Sequence, residues 1–433
     1  MRKLLSFLLV LSILVFAAAC SGNNETSGGS GAEGETVKLT AWAWNVNVGA
    51  LDAAAEKFKE ENPNVELKVE DMGRLDVYDR LSTGLAAGGA GLPDIVLVED
   101  DRIQGYVEAF PNGFLNLSEQ GFDSHAESFP PFKNELASLN GDFYAMPFDA
   151  GPGGMFYRRD IFEKAGVDPE EIETWDQFLE AGKTIKEATG VAAMPLDMFS
   201  DDPTFRMMLN QLGVYYFDEV GNIDLTNPKA VQAMETLKAF ADADLIRNVD
   251  GWNGIVSSTI DGSVATIPFG AWYFGTIIDQ ASDSAGDWGV FELPAFEEGG
   301  NRASNLGGSS WMIPQASDHA EVAYEFMEFF STSDDVQLIA MEEYGLFPSL
   351  STVYDSDAFT AEVEFFGGQQ IWQVFADQMS DVPTAYYTND YSIGLDEAIK
   401  AQADVFNGKD IKEALEESAK RLSDRTGRDV NTY

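Results

Sequence analysis

The chain has 433 residues, 45% hydrophobic and 12% aromatic, a globular composition long enough for two cores rather than one. Asp and Glu total 73 against 27 Lys and Arg, a formal net charge of −46 at pH 7. Such a surface repels phosphate backbones and anionic lipid, which excludes nucleic acid as a partner and disfavours peripheral membrane binding. The charge reads as a solvated surface suited to a salty or alkaline medium, the composition of a haloalkaliphile, because hydrated carboxylates keep a protein soluble where salt screens other charges.

Arg2 and Lys3 precede an apolar run, Leu4 to Ala19, that ends in small residues and meets Cys20, the single cysteine. This is the pattern of a secretory signal peptide over residues 1–20. Cys20 after Ala17-Ala18-Ala19 resembles the lipobox of bacterial lipoproteins, with Ala17 where Leu or Val is usual. An unpaired thiol in an oxidising compartment is a hazard, so lipidation of Cys20 is favoured over a free cysteine. The expectation is an extracytoplasmic body lipid-anchored to the cell membrane. Residues 21–36 are rich in Gly, Ser, Asn and Glu and cannot pack a core; they read as a flexible tether of roughly 20–25 Å.

The folded part begins at Val37 to Trp44, a β-rich run. Leu51, Ala54, Ala55 and Phe58 then recur at helical spacing until Asn62-Pro63-Asn64. Val65, Leu67 and Val69 alternate as a strand, Tyr78 to Ala87 is helical, and Ile95-Val96-Leu97-Val98 is a continuous apolar run suited to a strand covered on both faces. Alternating strands and helices are a doubly wound α/β pattern, in which ligands bind beyond the carboxyl ends of strands. Those ends are Trp44-Asn45 and Glu99-Asp100-Asp101-Arg102.

Between Gly141 and Gln177 an apolar strand runs into Gly151-Pro152-Gly153-Gly154 and resumes at Met155-Phe156-Tyr157, which reads as a glycine-broken strand and a candidate hinge. A helix then stops at Gly166, and Thr174 with Gln177 three residues on forms a capping box for the next. Trp175 at that helix start reads as a packing anchor. Further on, Phe217 to Leu225 reads as a hairpin around Gly221-Asn222, and Asn227-Pro228 opens an amphipathic helix. A strand at Val264 to Ile267 leads to Gly270-Ala271-Trp272. Short strands follow at 289–294 and 310–314, then helices over 320–331 and 410–422.

Catalytic and metal motifs are missing. His125 and His319 are the two histidines, too few for a zinc site with one cysteine, and no cofactor or metal is expected. There is no GxSxG or GxGxxG, and Gly182-Lys183-Thr184 lies mid-helix without the first glycine of a phosphate loop. With so many carboxylates, any pair of them says little about glycoside hydrolysis. Aromatics cluster instead at strand and loop ends: Trp42, Trp44, Trp252, Trp272, Trp311, Trp372, Tyr386, Tyr387 and Tyr391. A sugar ring stacks its C–H face on an indole or phenol while its hydroxyls need carboxylates, amides or Arg, so such aromatics beside Asp, Asn and Arg suit a saccharide. Each Trp taken singly is as readily explained by core packing.

The ordered set Gly141-Asp-Phe-Tyr-Ala-Met-Pro147, Phe156-Tyr157-Arg158-Arg159-Asp160-Ile161-Phe162, Ala165-Gly166 and Thr174-Trp175-Asp176 resembles the central signature of the extracellular solute-binding proteins of family 1. These are the sugar receptors of ATP-driven (ABC) importers, of the maltose-binding-protein type. Pro93-Asp94-Ile95-Val96, Gly270-Ala-Trp272 and Gly307-Gly308-Ser309-Ser310 before Ile313-Pro314 also match, and the resemblance covers residues 37–425.

The resemblance implies an α/β, two-lobed periplasmic-binding-protein-like fold with a ligand cleft between lobes and a hinge of crossing segments. It places residues 37–147 plus 290–330 in lobe 1 and 148–289 plus 331–433 in lobe 2. It implies a monomer that captures a saccharide by hinge closure and delivers it to ABC permease subunits, without catalysis. Asp101-Arg102 and Trp272 fall on sugar-contacting positions of the family, Asp149 lies near another, and Val98 replaces a stacking tryptophan. Together with the strand-end reading, the expected ligand residues are Trp44, Asn45, Asp100, Asp101, Arg102, Asp149, Trp272, Gly308, Ser309, Trp311, Tyr386 and Tyr387. A secreted glycoside-acting enzyme, or a sugar sensor without a permease, remains the alternative.

Overall fold

The computed structural model describes residues 36–433, so the signal peptide, Cys20 and nearly all of the tether lie outside the described residues. The chain opens with β1 (Val37–Ala43), α1 (Val46–Glu61), β2 (Val65–Asp71), α2 (Arg74–Ala86), β3 (Ile95–Glu99) and α3 (Asp100–Ala109). The three strands are parallel in the order β2-β1-β3. Position explains their patterns: β2 lies at an edge and alternates, whereas Ile95–Val98 of the interior strand β3 are all buried.

Helix α4 (Pro131–Ala137) and the small hairpin β4 (Ser138–Leu139) and β5 (Asp142–Phe143) lead into the long strand β6 (Met146–Arg158). Then come α5 (Arg159–Ala165), α6 (Trp175–Thr189), β7 (Met194–Leu196), α7 (Pro203–Gln211), α8 (Pro228–Asp242), β8 (Ile246–Asn248), α9 (Gly251–Asp261), β9 (Thr266–Gly270), α10 (Tyr273–Gln280), β10 (Trp288–Glu292) and β11 (Asn305–Met312). The chain ends with α11 (Ala320–Thr332), α12 (Asp334–Tyr344), α13 (Ile371–Ala376), α14 (Tyr391–Phe406) and α15 (Ile411–Thr426).

β6 organises the molecule. Its first half, Met146 to Pro152, pairs antiparallel with β11, which in turn pairs with β3. Its second half, Gly153 to Arg158, pairs with β9 and β10. One strand therefore serves two sets of partners. The glycines at 151–154 do not break it, contrary to the reading from sequence. They permit close approach: a Cβ on Gly151 would lie 2.1 Å from the Leu306 carbonyl oxygen of β11.

Two hydrophobic clusters form around these strands. One is built on β1, β3 and β11 and takes in Phe148, Phe326, Phe330, Phe347 and Phe375. The other gathers Phe162, Trp175, Phe178, Met208, Tyr216, Leu237 and Leu415. α12 packs on α1, and Phe347, Trp372 and Phe375 join the first cluster. Trp175 is the anchor its place suggested: its indole N–H donates to Gln211 Oε1 at 3.2 Å, and the Thr174/Gln177 capping box is complete. Asn227 caps α8, and Phe217 bridges Ile223 across the expected hairpin.

Candidate functional site

The carboxyl ends of β1 and β3 place Trp44-Asn45 and Glu99 through Arg102 at one edge of the sheet. Trp44 packs edge-on against Tyr78, ring centroids 5.8 Å apart. Tyr78 donates to Glu99 Oε2 at 2.8 Å, as does Arg74 at 2.7 Å, and the Arg102 guanidinium lies 4.4 Å over the Tyr78 ring. Asn45 is exposed and has φ 52° and ψ −139°, a left-handed backbone that costs a non-glycine residue of order 1–3 kcal/mol and is concentrated at functional sites.

Asp101 starts the second half of the site. Its side chain is 22% exposed, yet Oδ1 is buried without a hydrogen-bond partner among the described residues, as is Arg102 Nε, 3.8 Å away. Burial, and then the Glu99 charge, push the Asp101 carboxyl up to about 6, against the opposing pull of Arg102 and Arg206. Arg206 comes from α7, in the second cluster's part of the chain. It donates to the Tyr391 hydroxyl at 3.2 Å and lies 2.9 Å from Asp202, whose carboxyl burial raises to about 6. Tyr387 stands 5.2 Å from Tyr215 and 4.8 Å from Tyr391, ring to ring, and all three phenols and Arg206 lie close enough to Asp101 for their charges to interact.

Beneath this edge lies a second charged group. Lys133 of α4 is fully buried and donates to Asp100 Oδ2 at 2.6 Å, to the Asp149 carbonyl at 2.8 Å and to the Ser309 carbonyl at 3.1 Å. Ser310 donates to Asp100 Oδ1, and the Ser309 N–H to Asp149 Oδ1, each at 2.7 Å. Burial drives the Asp149 carboxyl up to about 7; Lys133 opposes the rise and Asp100 adds to it. Gly308 pairs with Ala150 above this group.

Trp272 follows β9 and is half-buried, its N–H donating to the Leu306 carbonyl at 2.8 Å, with Trp252 5.9 Å away. It stands at the crossing, beside Gly151. Tyr386 is half-buried and bridges Phe217. Trp311 belongs to the core: it is fully buried, 5.4 Å from Phe148 and 5.5 Å from Phe330, because α11 covers its face of β11. The structure thus brings together Trp44, Asp101, Arg102 and Tyr387, sets Asp100, Asp149 and Ser309 in the layer below, and keeps Trp311 apart.

Tyr78, Lys133, Asp202, Arg206 and Tyr215 were not singled out from sequence. Asp202-Pro203 with Arg206 four residues on is a helix-start and ion-pair signal that points to α7. Nothing local marks Lys133. Among the described residues no cluster of His, Cys, Asp and Glu suits a metal, and His125 pairs with Glu328 at 3.1 Å.

A two-lobed sheet architecture with a charged and aromatic edge where the strands end defines a solute-binding class of protein, and comparison bears this out. The sequence profile of the bacterial extracellular solute-binding protein matches residues 53–367, and the chain belongs to that family. It is 36% identical to a lactose-binding protein of Rhizobium radiobacter, over 81% of this chain and 84% of that one. It is 28% identical to an arabinooligosaccharide-binding protein of Bacillus subtilis strain 168, over 98% of this chain and all of the other. An ABC-transporter-associated binding protein of B. animalis subsp. lactis Bl-04, solved with beta-1,6-galactobiose, shares the fold at a TM-score of 0.75 and 24% identity, over 92% of this chain and all of that one. These relatives are binding proteins.

Proposed function

We propose that this protein is the saccharide receptor of an ABC importer, and that it binds its sugar between the Trp44/Tyr78/Asp101/Arg102 edge and the Arg206/Tyr215/Tyr387/Tyr391 wall. One observation carries the reading: Asp101 Oδ1 and Arg102 Nε are an acceptor and a donor buried without a hydrogen-bond partner among the described residues, near edge-packed phenols and an indole. A hydroxyl can donate to the first and accept from the second while ring C–H groups meet the aromatics. The sugars bound by the two named relatives support the same class. The arginines are internally balanced, Arg74 by Glu99 at 2.7 Å and Arg206 by Asp202 at 2.9 Å, which favours an uncharged ligand.

The mechanism is capture. A ligand held by both walls biases the molecule towards the closed arrangement, and the closed form docks on permease subunits; a ligand touching one wall would shift nothing. The lobes hinge where β6 passes from β11 to β9 and β10. Around this core we place the finer features read from sequence: a lipid anchor on Cys20, an extracytoplasmic tether, a monomeric body and no catalytic activity.

Calorimetry against lactose, α-1,5-arabinotriose and maltotriose, with amino acids as controls, tests the reading. Saturable heat from a saccharide and unaltered sugar on recovery are expected. Heat from amino acids alone, or a cleaved sugar, overturns it.

A further inference from the structure

Gly105 sits inside α3, where glycine weakens a helix relative to alanine and so calls for a reason. The reason is a neighbour: a Cβ there would lie 3.2 Å from Asn389 Cα and 3.3 Å from the Thr388 carbonyl oxygen. One turn on, Glu108 Oε2 accepts the Asn389 N–H at 3.2 Å. α3 is rooted in one hydrophobic cluster through Ile103 and Val107, whereas the turn at 388–389 is rooted in the other through Ala385 and Tyr391. The contact therefore joins the two walls of the candidate site from outside the pocket.

The same turn is braced from behind by Arg428, beyond α15. Its Nε donates to Asp390 Oδ2 at 2.7 Å, its Nη2 to Asn389 Oδ1 at 2.7 Å and its Nη1 to the Gly221 carbonyl at 3.1 Å. The guanidinium also lies 5.5 Å over the Phe217 ring. The C-terminal segment is itself held in register, with Val430 bridging Ile223 and Asn431 donating to Asp218 and Asp224. Arg428 thus holds Asn389 and Asp390, two of the three residues that lie between Tyr387 and Tyr391.

We propose that Gly105 and the Arg428-braced turn are positioning residues for ligand capture: they set how closely the two walls approach, and with it the ligand's residence time, without touching the ligand. This rests on the saccharide-receptor reading. A side chain at 105 is free of the clash when the walls are apart and meets backbone when they close. It therefore penalises the closed form alone, and backbone cannot swing aside as a flexible side chain would.

The test uses the full mature chain with lactose and α-1,5-arabinotriose as probes. Gly105→Ala is expected to lower affinity about threefold and Gly105→Val tenfold or more, both through faster dissociation at an unchanged association rate. The thermal midpoint of unliganded Gly105→Ala should hold or rise, since alanine favours helix. Arg428→Ala should also speed dissociation, with partial rescue by Arg428→Lys. Unchanged affinity in both Gly105 variants, or losses that merely track unliganded stability, overturn the proposal. If the wild type binds neither sugar, the receptor reading is decided separately by the calorimetry above, and small-angle scattering decides this one. A larger radius of gyration for Gly105→Val than for wild type upholds the closing contact, and equal radii remove it.

Discussion

Asp100 and Asp101 are neighbours in sequence and open the same helix, yet their surroundings are opposite. Asp100 is buried with both oxygens engaged, one by Lys133 and one by Ser310. Asp101 keeps an oxygen that is buried without a hydrogen-bond partner among the described residues. A carboxylate whose partners are built in serves the fold, because an unpaired buried charge is what a protein cannot tolerate. A carboxylate left short of a partner at a sheet edge is poised for something that arrives from outside. The single step from 100 to 101 turns the side chain from the layer below to the strand-end face, and the proposed roles divide there.

The largest expected effect tests the lower layer. Lys133→Met removes the cation that ties Asp100 to the carbonyls of Asp149 and Ser309, leaving a buried carboxylate alone. Urea unfolding should show a loss of about 3–5 kcal/mol. A loss under about 1 kcal/mol would mean that water replaces the ammonium and that the layer is not structural.

Asp149 sharpens the comparison through pH. Its carboxyl titrates near 7 in the fold against 3.8 as the ordinary value, so the folded protein holds the proton more tightly. The stability this confers is complete below 3.8 and is lost as pH rises through about 7. Relative to Asp149→Asn, the wild type should therefore lose stability on the order of 2–4 kcal/mol between about pH 4 and pH 8. A wild-type minus variant difference that is flat with pH would show that Asp149 is already ionised.

The smallest effect is on binding. Asp101→Asn should hold or raise the unfolding midpoint at neutral pH, because burial already disfavours the ionised carboxyl, and weaken saccharide binding by about 1.5–3 kcal/mol, the worth of a hydrogen bond to a charged group. Binding to the ionised form implies that wild-type affinity falls as pH drops through about 6, and that the variant is flat there. Loss of stability with unchanged affinity would put Asp101 in the same structural category as Asp100.

The legible parts of this molecule are those that local chemistry decides. The Thr174/Gln177 box and the apolar run of β3 need only neighbours in sequence to be read, and strand ends direct attention to Trp44, Asp101 and Arg102. Lys133 is invisible because its acceptors lie on α3, β6 and β11 and no local spacing announces them. Trp311 misleads for a related reason. Beside Gly308 and Ser309 it looks like a cleft aromatic, and only the packing of α11 shows that its face is covered. Glycines at 151–154 suggest a break, whereas the close approach of β11 explains them without one.

The sharing of β6 between two sheets bears on how the chain is made. β9, β10 and β11 all return to a strand laid down more than a hundred residues earlier, so the pairing of β6 with β9 and β10 waits for residue 292 and its pairing with β11 for residue 312. Pairing of such long sequence separation is slow to form. For a chain that must be threaded through a membrane before it folds, that delay is useful. Late pairing of this kind leaves such a polypeptide extended, and so exportable, for longer.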